Sequence, residues 1–306
     1  MWDWPFGCDI RNVIGGAGVE DDNIYLRCEA LVLNHKKSLK KNICLLLALC
    51  CCLVCTGCGS GGTGYGVKAV MTLVDQEYSI AFRNDDPTAY YVIGAIQALD
   101  EEGKLSELCI KWFGQRIISF PRTNIRLDEL PPTDYRDFII GLDINSFPLA
   151  YSANGEYWGF DVEFAVAVAE KLGWHIKMQP IEKENVYIEL SSGNIDCAWG
   201  GLALPEKDIE NKRYTVYGPY VHNDIVIASR DGSNIWNSLQ LNGRRMAMCT
   251  TPEAMEALQS AGKVANRLGQ ITRLAGGTTE CFSYLFAGKC DLILTDSTAI
   301  AYYNSH

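Results

Sequence analysis

The chain has 306 residues, with 27 Lys and Arg against 37 Asp and Glu, for a formal charge of −10. Such a balance argues against nucleic acid as a partner, because phosphate binding needs a basic face. Hydrophobic residues at 48% and charged residues at 21% describe an ordinary globular protein with apolar material for one large or two small domains.

Residues 1–35 form an N-terminal extension ahead of a basic cluster, KKSLKK at 36–41, which is followed by NICLLLALCCCLVCTGCGSGG. Positive residues, an apolar core and then small residues are the layout of a secretory signal over 36–58. The apolar run Ile43–Val54 is shorter than the roughly 20 residues a spanning helix needs. Thr56-Gly57-Cys58 resembles a bacterial lipobox, in which the cysteine sulfur is acylated, so Cys58 is the expected lipidation site. Cys55 stands where that motif usually has Leu. Residues 59–62 would then be a flexible tether. The competing reading is a membrane-anchor helix with cysteines as apolar filler. A signal begins its chain, so the extension points to a translation start near Val32 or Leu33.

Beyond the tether, YSIAF reads as a strand, and Tyr91, Ala95, Ala98 and Leu99 mark a helix after it. A second helix, LSELCIKWF, closes on Gly114. The stretch 115–136 has three prolines and little periodicity, and it reads as a linker. From 138 onward strands and helices alternate. FIIGLDI and HIKMQPI are short apolar, β-branched runs. Between them Phe160, Phe164, Val168 and Leu172 recur at the helical period, with Gly173 placed as a C-cap. DCAWGG, DIVIASR, RRMAMC, QITRL and DLILTD are further strands, with helices expected over about 182–192, 251–261 and 277–288. This alternation means α/β with a largely parallel sheet. Five cysteines fall here, Cys109, Cys197, Cys249, Cys281 and Cys290, with no C-x-x-C pair among them. They support neither a zinc nor a redox motif and read as small buried hydrophobes, with a Cys281–Cys290 bridge left open. No nucleophile elbow, Walker loop or H-E-x-x-H occurs.

Several segments together carry a family resemblance: GLDINSFPLAY, NGEYWGFDVEFAVAVAEKLG, SGNIDCAWGG, TPEAMEAL, LFAGKCDLILTDSTAIAYY, EYSIAFRNDDP and KWFG. The chain resembles the bacterial extracellular solute-binding proteins of family 3, the polar amino-acid receptors of ABC importers, over roughly 65–114 and 136–303. The resemblance implies an α/β type 2 periplasmic-binding-protein-like fold, with two lobes joined by two hinge strands. The family's order runs from the GLDI strand to the KWFG helix. Here the closing piece, 66–114, precedes the opening piece. The two pieces complement one another, so the expectation is a circularly permuted receptor. Lobe 2 would be built from 63–77 plus 223–306, lobe 1 from 78–114 plus 136–222, and 115–135 would join the old ends. New termini on the surface of lobe 2 are tolerable at exposed sites. A cut tandem array or a gene-model artefact is the alternative.

The same resemblance implies a ligand site. Asp296, ending DLILT, matches the acid that takes an α-ammonium; its other reading is the N-cap of STAIAYY. Thr250 and Thr251 match hydroxyl residues at a helix start that suits a carboxylate; capping beside Pro252 is the other reading. Asp143, Phe147 and Tyr151 match the pocket wall, and aromatic faces also suit an ammonium. Trp199 precedes Gly200 and Gly201, whose backbones can approach a ligand. Phe147 and Trp199 read equally well as core. The family's carboxylate-gripping arginine is replaced: LALPEKDIENKRY puts Asp208, or by a one-residue shift Lys207, at that place. Asp143, Asp296 and Asp208 without an arginine favour a cation over a zwitterion. The expectation is therefore a lipid-anchored, extracytoplasmic receptor that passes a polar, basic amino acid or small amine to an ABC permease. It has no catalysis, cofactor or metal. A prephenate- or arogenate-dehydratase-like enzyme on the same fold, and a truncated tandem or sensor module without a complete site, are the alternatives.

Overall fold

In the computed structural model, residues 66–306 are described. The extension 1–35, the segment 36–58 with Cys58, and the tether 59–62 lie outside the described residues.

Two five-stranded sheets organise the chain, and each draws on both sequence pieces. The first lobe holds β2 (Glu77–Phe82), β3 (Asp137–Leu142), β7 (His175–Pro180), β8 (Cys197–Ala198) and β9 (Thr215–His222), in the order β7-β3-β8-β2-β9. β3 runs parallel to β7 and β8, whereas β2 runs antiparallel to β8 and β9. The second lobe holds β1 (Val67–Val74), β10 (Ile225–Arg230), β11 (Arg245–Cys249), β12 (Gln270–Leu274) and β13 (Leu292–Asp296), in the order β1-β10-β13-β11-β12. A small antiparallel sheet of β4 (Asn145–Ser146), β5 (Ala150–Ala153) and β6 (Glu156–Trp158) follows β3.

The helices form where the periodicity places them. α3 (Phe160–Leu172) buries Phe160, Phe164, Val168 and Leu172 on one face, and Gly173 closes it with φ 69°. That backbone conformation costs glycine little because it has no Cβ. α1 (Thr88–Glu101) and α2 (Lys104–Phe113) pack against α3. α4 (Val186–Ser192) and the short α5 (Glu206–Glu210) complete this lobe. In the second lobe α6 (Pro252–Ser260), α7 (Gly262–Ala265), α8 (Gly277–Phe286) and α9 (Ser297–Ser305) surround a core of Ile227, Met246, Met248, Phe282 and Leu292, all fully buried.

The chain crosses between lobes at 75–76, from β1 to β2, and at 223–224, from β9 to β10. The crossings are tied together: Asn223 N–H donates to the Gln76 carbonyl at 2.9 Å, and Gln76 N–H donates to Asp224 Oδ1 at 3.2 Å. Asn223 is 1% exposed. Its Nδ2 donates to the Tyr78 hydroxyl at 3.0 Å on one side, and its Oδ1 accepts from Thr298 N–H at 3.2 Å on the other. Asn304 then clasps the start of β1, donating to the Val67 carbonyl and accepting from its N–H, both at 2.8 Å.

The stretch 115–136 is irregular, apart from one 3₁₀ turn at Leu127–Glu129, yet it is firmly docked. Ile118 is buried, and Phe120 stacks on Tyr217 and Tyr220 with an edge contact to Phe164. Ser119 N–H donates to the Tyr220 carbonyl, and the Tyr91 and Tyr217 hydroxyls donate to the Pro131 and Pro121 carbonyls. Periodicity is blind to such a belt, because its anchors are single rings meeting distant ones. Phe120→Ala is expected to lower the unfolding free energy by about 2 kcal/mol in urea titration, through lost area and three ring contacts; an unchanged midpoint would mean the belt is only laid on the surface.

Candidate functional site: an acidic cleft between the lobes

A cleft partly open to solvent, with a cavity volume of about 40 Å³, lies between the lobes beside the hinge. Strand ends build it, as expected where open α/β sheets meet ligands. β3 delivers Asp143, β8 leads into Gly201, β11 delivers Cys249, and β13 delivers Thr295 and Asp296. Gln76 and Tyr78 line it from the hinge, and the start of α6 adds Thr251 and Glu253.

Asp296 occupies the N-cap position of α9, but its side chain makes no capping hydrogen bond. The carboxyl lines the cleft instead. Burial, reinforced by Cys249, Glu253 and Asp143, pushes its pKa up to about 8. Asp143 Oδ1 accepts from Asn145 N–H at 2.9 Å and from its Nδ2 at 3.1 Å. Burial and the charges of Glu253 and Glu182 still raise its pKa. Thr251 Oγ1 accepts from Ala254 N–H at 3.3 Å as the α6 cap, and the residue also lines the cleft.

Gly201 must be glycine. Its φ is +67°, and a Cβ there would sit 2.4 Å from Ser146 Cβ. Behind it lies Asp161, 1% exposed, whose Oδ2 accepts from Gly201 N–H at 2.9 Å and from the Tyr220 hydroxyl at 2.8 Å. Burial outweighs those bonds and lifts the Asp161 pKa to about 7. This carboxyl holds the glycine loop against β9, the strand that runs into the hinge.

Other expected site residues stand elsewhere. Trp199 is fully buried, edge-on to Phe164 at 4.6 Å, so its core reading prevails. Gly200 does not line the cleft but supports it, its carbonyl accepting from Asp143 N–H at 2.9 Å. Phe147 and Tyr151 form an aromatic cluster with Tyr302 and Tyr303 between the small sheet and α9. Thr250 and Lys207 are exposed and do not line the cleft. Asp208 is buried against Arg213, with N···O 3.2 Å, and does not line it either.

The cleft's third acid is therefore Glu253, which sequence reasoning passed over two residues beyond a threonine it had singled out. Lys183, in the turn after β7, was also missed. Its Nζ lies 3.4 Å from Glu253 Oε1, an ion pair reaching from one lobe to the other. No arginine is among the described residues lining the cleft.

Residues 138–298 match the model of the bacterial extracellular solute-binding proteins, family 3. The chain belongs to this family. Among relatives of this family 3 protein, the probable amino-acid-binding protein YxeM of Bacillus subtilis (strain 168) is 30% identical over 108 residues, 35% of this chain and 40% of that one. A probable amino-acid ABC transporter-binding protein of Haemophilus influenzae is 24% identical over 175 residues, 56% of this chain and 64% of its own. The arginine-binding extracellular protein ArtP of B. subtilis (strain 168) is 27% identical over 114 residues, 37% of this chain and 44% of that relative. The chain thus spans about half the length of the curated relatives it matches. A solved polar amino acid ABC uptake transporter substrate-binding protein from Streptococcus thermophilus is similar at TM-score 0.42 and 23% identity, covering 52% of this chain and 61% of that one.

A carboxyl whose pKa is raised on folding holds its proton more tightly in the folded state. Its contribution to stability is greatest below the unfolded pKa of about 4 and is lost as pH rises through the folded value. With Asp296 near 8 and Asp161 near 7, the melting temperature of the ligand-free family 3 protein should fall from pH 5 to pH 8. Asp296→Asn should flatten that fall, as scanning fluorimetry across the range will register.

Proposed function

We propose that this chain is the extracytoplasmic receptor of an ABC importer and that its solute carries an ammonium or guanidinium group, as a basic amino acid or a small amine does. The observation that carries this reading is the charge inventory of the cleft. Among the described residues lining the cleft, Asp143, Glu253 and Asp296 face a single cation, Lys183, and Glu253 already engages it. Carboxylates so poorly compensated favour a cationic guest. Asp296 is the seat of the ammonium, with Asp143 opposite it on the other lobe. A carboxylate on the same solute would meet the N–H groups and positive end of α6 beside Thr251, and Gly201 admits the solute close to backbone. The relative named for arginine binding agrees in charge class.

Capture and release need no catalysis. The dehydratase-like alternative asks for a cationic grip on an acidic substrate, and the cleft's charge runs the other way. Anchoring through an acylated Cys58 and delivery to a permease complete the reading.

The two sequence pieces are further read as one circularly permuted receptor. Support comes from β1 entering the second sheet, β2 entering the first, and Asn304 holding Val67.

Calorimetry with L-arginine, L-lysine, putrescine and L-glutamine tests the ligand class. The cations should bind and Asp296→Asn should weaken them about 10- to 100-fold, the range of a lost charge-assisted hydrogen bond; tight binding of glutamine alone would overturn the reading. For the permutation, a rearranged chain running 136–306 and then into 66–135, which keeps the docked belt, should unfold in one cooperative transition near the parent's midpoint; failure of this order to fold would sink it.

A further inference from the structure

Cys249 ends β11 inside the cleft, unpaired by any disulfide and 8% exposed. Its Sγ lies 3.9 Å from Thr251 Oγ1. The Cys281 thiol neighbours it, and the positive start of α6 lies at Thr251. Together these hold the Cys249 thiol below its ordinary pKa and raise that of Cys281. A second observation points to a guest at the same spot. Thr295 is 5% exposed and lines the cleft, and its Oγ1 has no hydrogen-bond partner. Buried hydroxyls are rarely left so. Asp143 and Asp296 supply negative charge alongside.

We propose that Cys249 is a covalent docking site in this cleft, forming a mixed disulfide with a small aliphatic disulfide that bears ammonium groups. The inference rests on the reading of the cleft as a cation receptor. The carboxylates gather the ammonium, and Thr295 Oγ1 accepts one of its hydrogens. The Cys249 thiolate attacks one sulfur of the guest. A Cys249–sulfur bond forms as the guest's S–S bond breaks, and the second half leaves as a thiolate that takes up the proton Cys249 gave up. Cys249 is oxidised to the disulfide level, the departing half is reduced to a thiol, and the guest is the sole oxidant. The retained half fills the space a free solute needs, so the modified receptor no longer captures.

The test uses the full folded chain, incubated with cystamine or with the uncharged bis(2-hydroxyethyl) disulfide, acid-quenched and mapped by peptide mass spectrometry. Mapping separates Cys249 from the cysteines before residue 60. The expected result is one cysteamine on Cys249, formed at least about tenfold faster than the neutral adduct, as charge steering provides. Cys109 and Cys197, fully buried in the other lobe, should stay unmodified. Cys249→Ser should lose the adduct while keeping its melting temperature, and Cys281→Ala should still carry one at Cys249. No adduct at Cys249, or equal rates with the two disulfides, overturns the proposal. Putrescine should slow the labelling. Charge-selective labelling that putrescine leaves unslowed would overturn the receptor reading while the thiol site stands.

Discussion

Everything in this molecule depends on a hydrogen-bonded hinge only a few residues wide. The two crossings between lobes, 75–76 and 223–224, are bonded to one another rather than to solvent. Asn223 touches a tyrosine of one lobe and a threonine of the other. A buried amide between lobes must keep its partners, because an orphaned polar group costs about 1–3 kcal/mol. The hinge, with the Phe147–Tyr302–Tyr303 rings and the Trp112–Tyr302 contact that join α9 to the first lobe, sets where the two sheets face each other. It also fixes which strand ends meet: Asp143 from one side, Cys249, Thr295 and Asp296 from the other. The cleft is a product of that alignment, and its glycine loop is secured to the same strand through Asp161 and Tyr220.

The electrostatics follow from the geometry. Carboxyls at strand ends, drawn together by the hinge and shielded from water, raise one another's proton affinity. In the ligand-free cleft that repulsion is relieved by protons and by the Lys183–Glu253 pair. The cationic guest proposed above would relieve it instead, releasing protons as it bound and competing with Lys183 for part of the same space.

Much of this was legible in the chain. The period of Phe160, Phe164, Val168 and Leu172 gave α3, and the apolar runs gave the strands in their right places. Asp143, Gly201, Thr251 and Asp296 were singled out and do share a cleft. The misses have a common cause. Trp199 and Phe147 are aromatic, and nothing local distinguishes a ring in a core from a ring in a pocket. Asp208 looked like a site acid until Arg213 turned out to hold it. Glu253 and Lys183 meet across two lobes, a relation that no window along the sequence contains. The belt at 115–136 hid its order for the same reason, since Phe120 finds its partners on β9 and α3.

The position of β1 carries one last consequence, for synthesis. On a ribosome this strand emerges before any of its sheet partners, and the whole of the other lobe is made before β10 appears. β1 pairs only with β10, at the edge of its sheet. Until then it is an unpaired strand rich in β-branched residues, the kind of edge that invites pairing with a neighbour's chain. Lobe 1 can close early around its own core, whereas lobe 2 must wait for the C-terminal half. β1 thus stays an open edge until β10 is made, and α9, through Asn304, then secures its first residue.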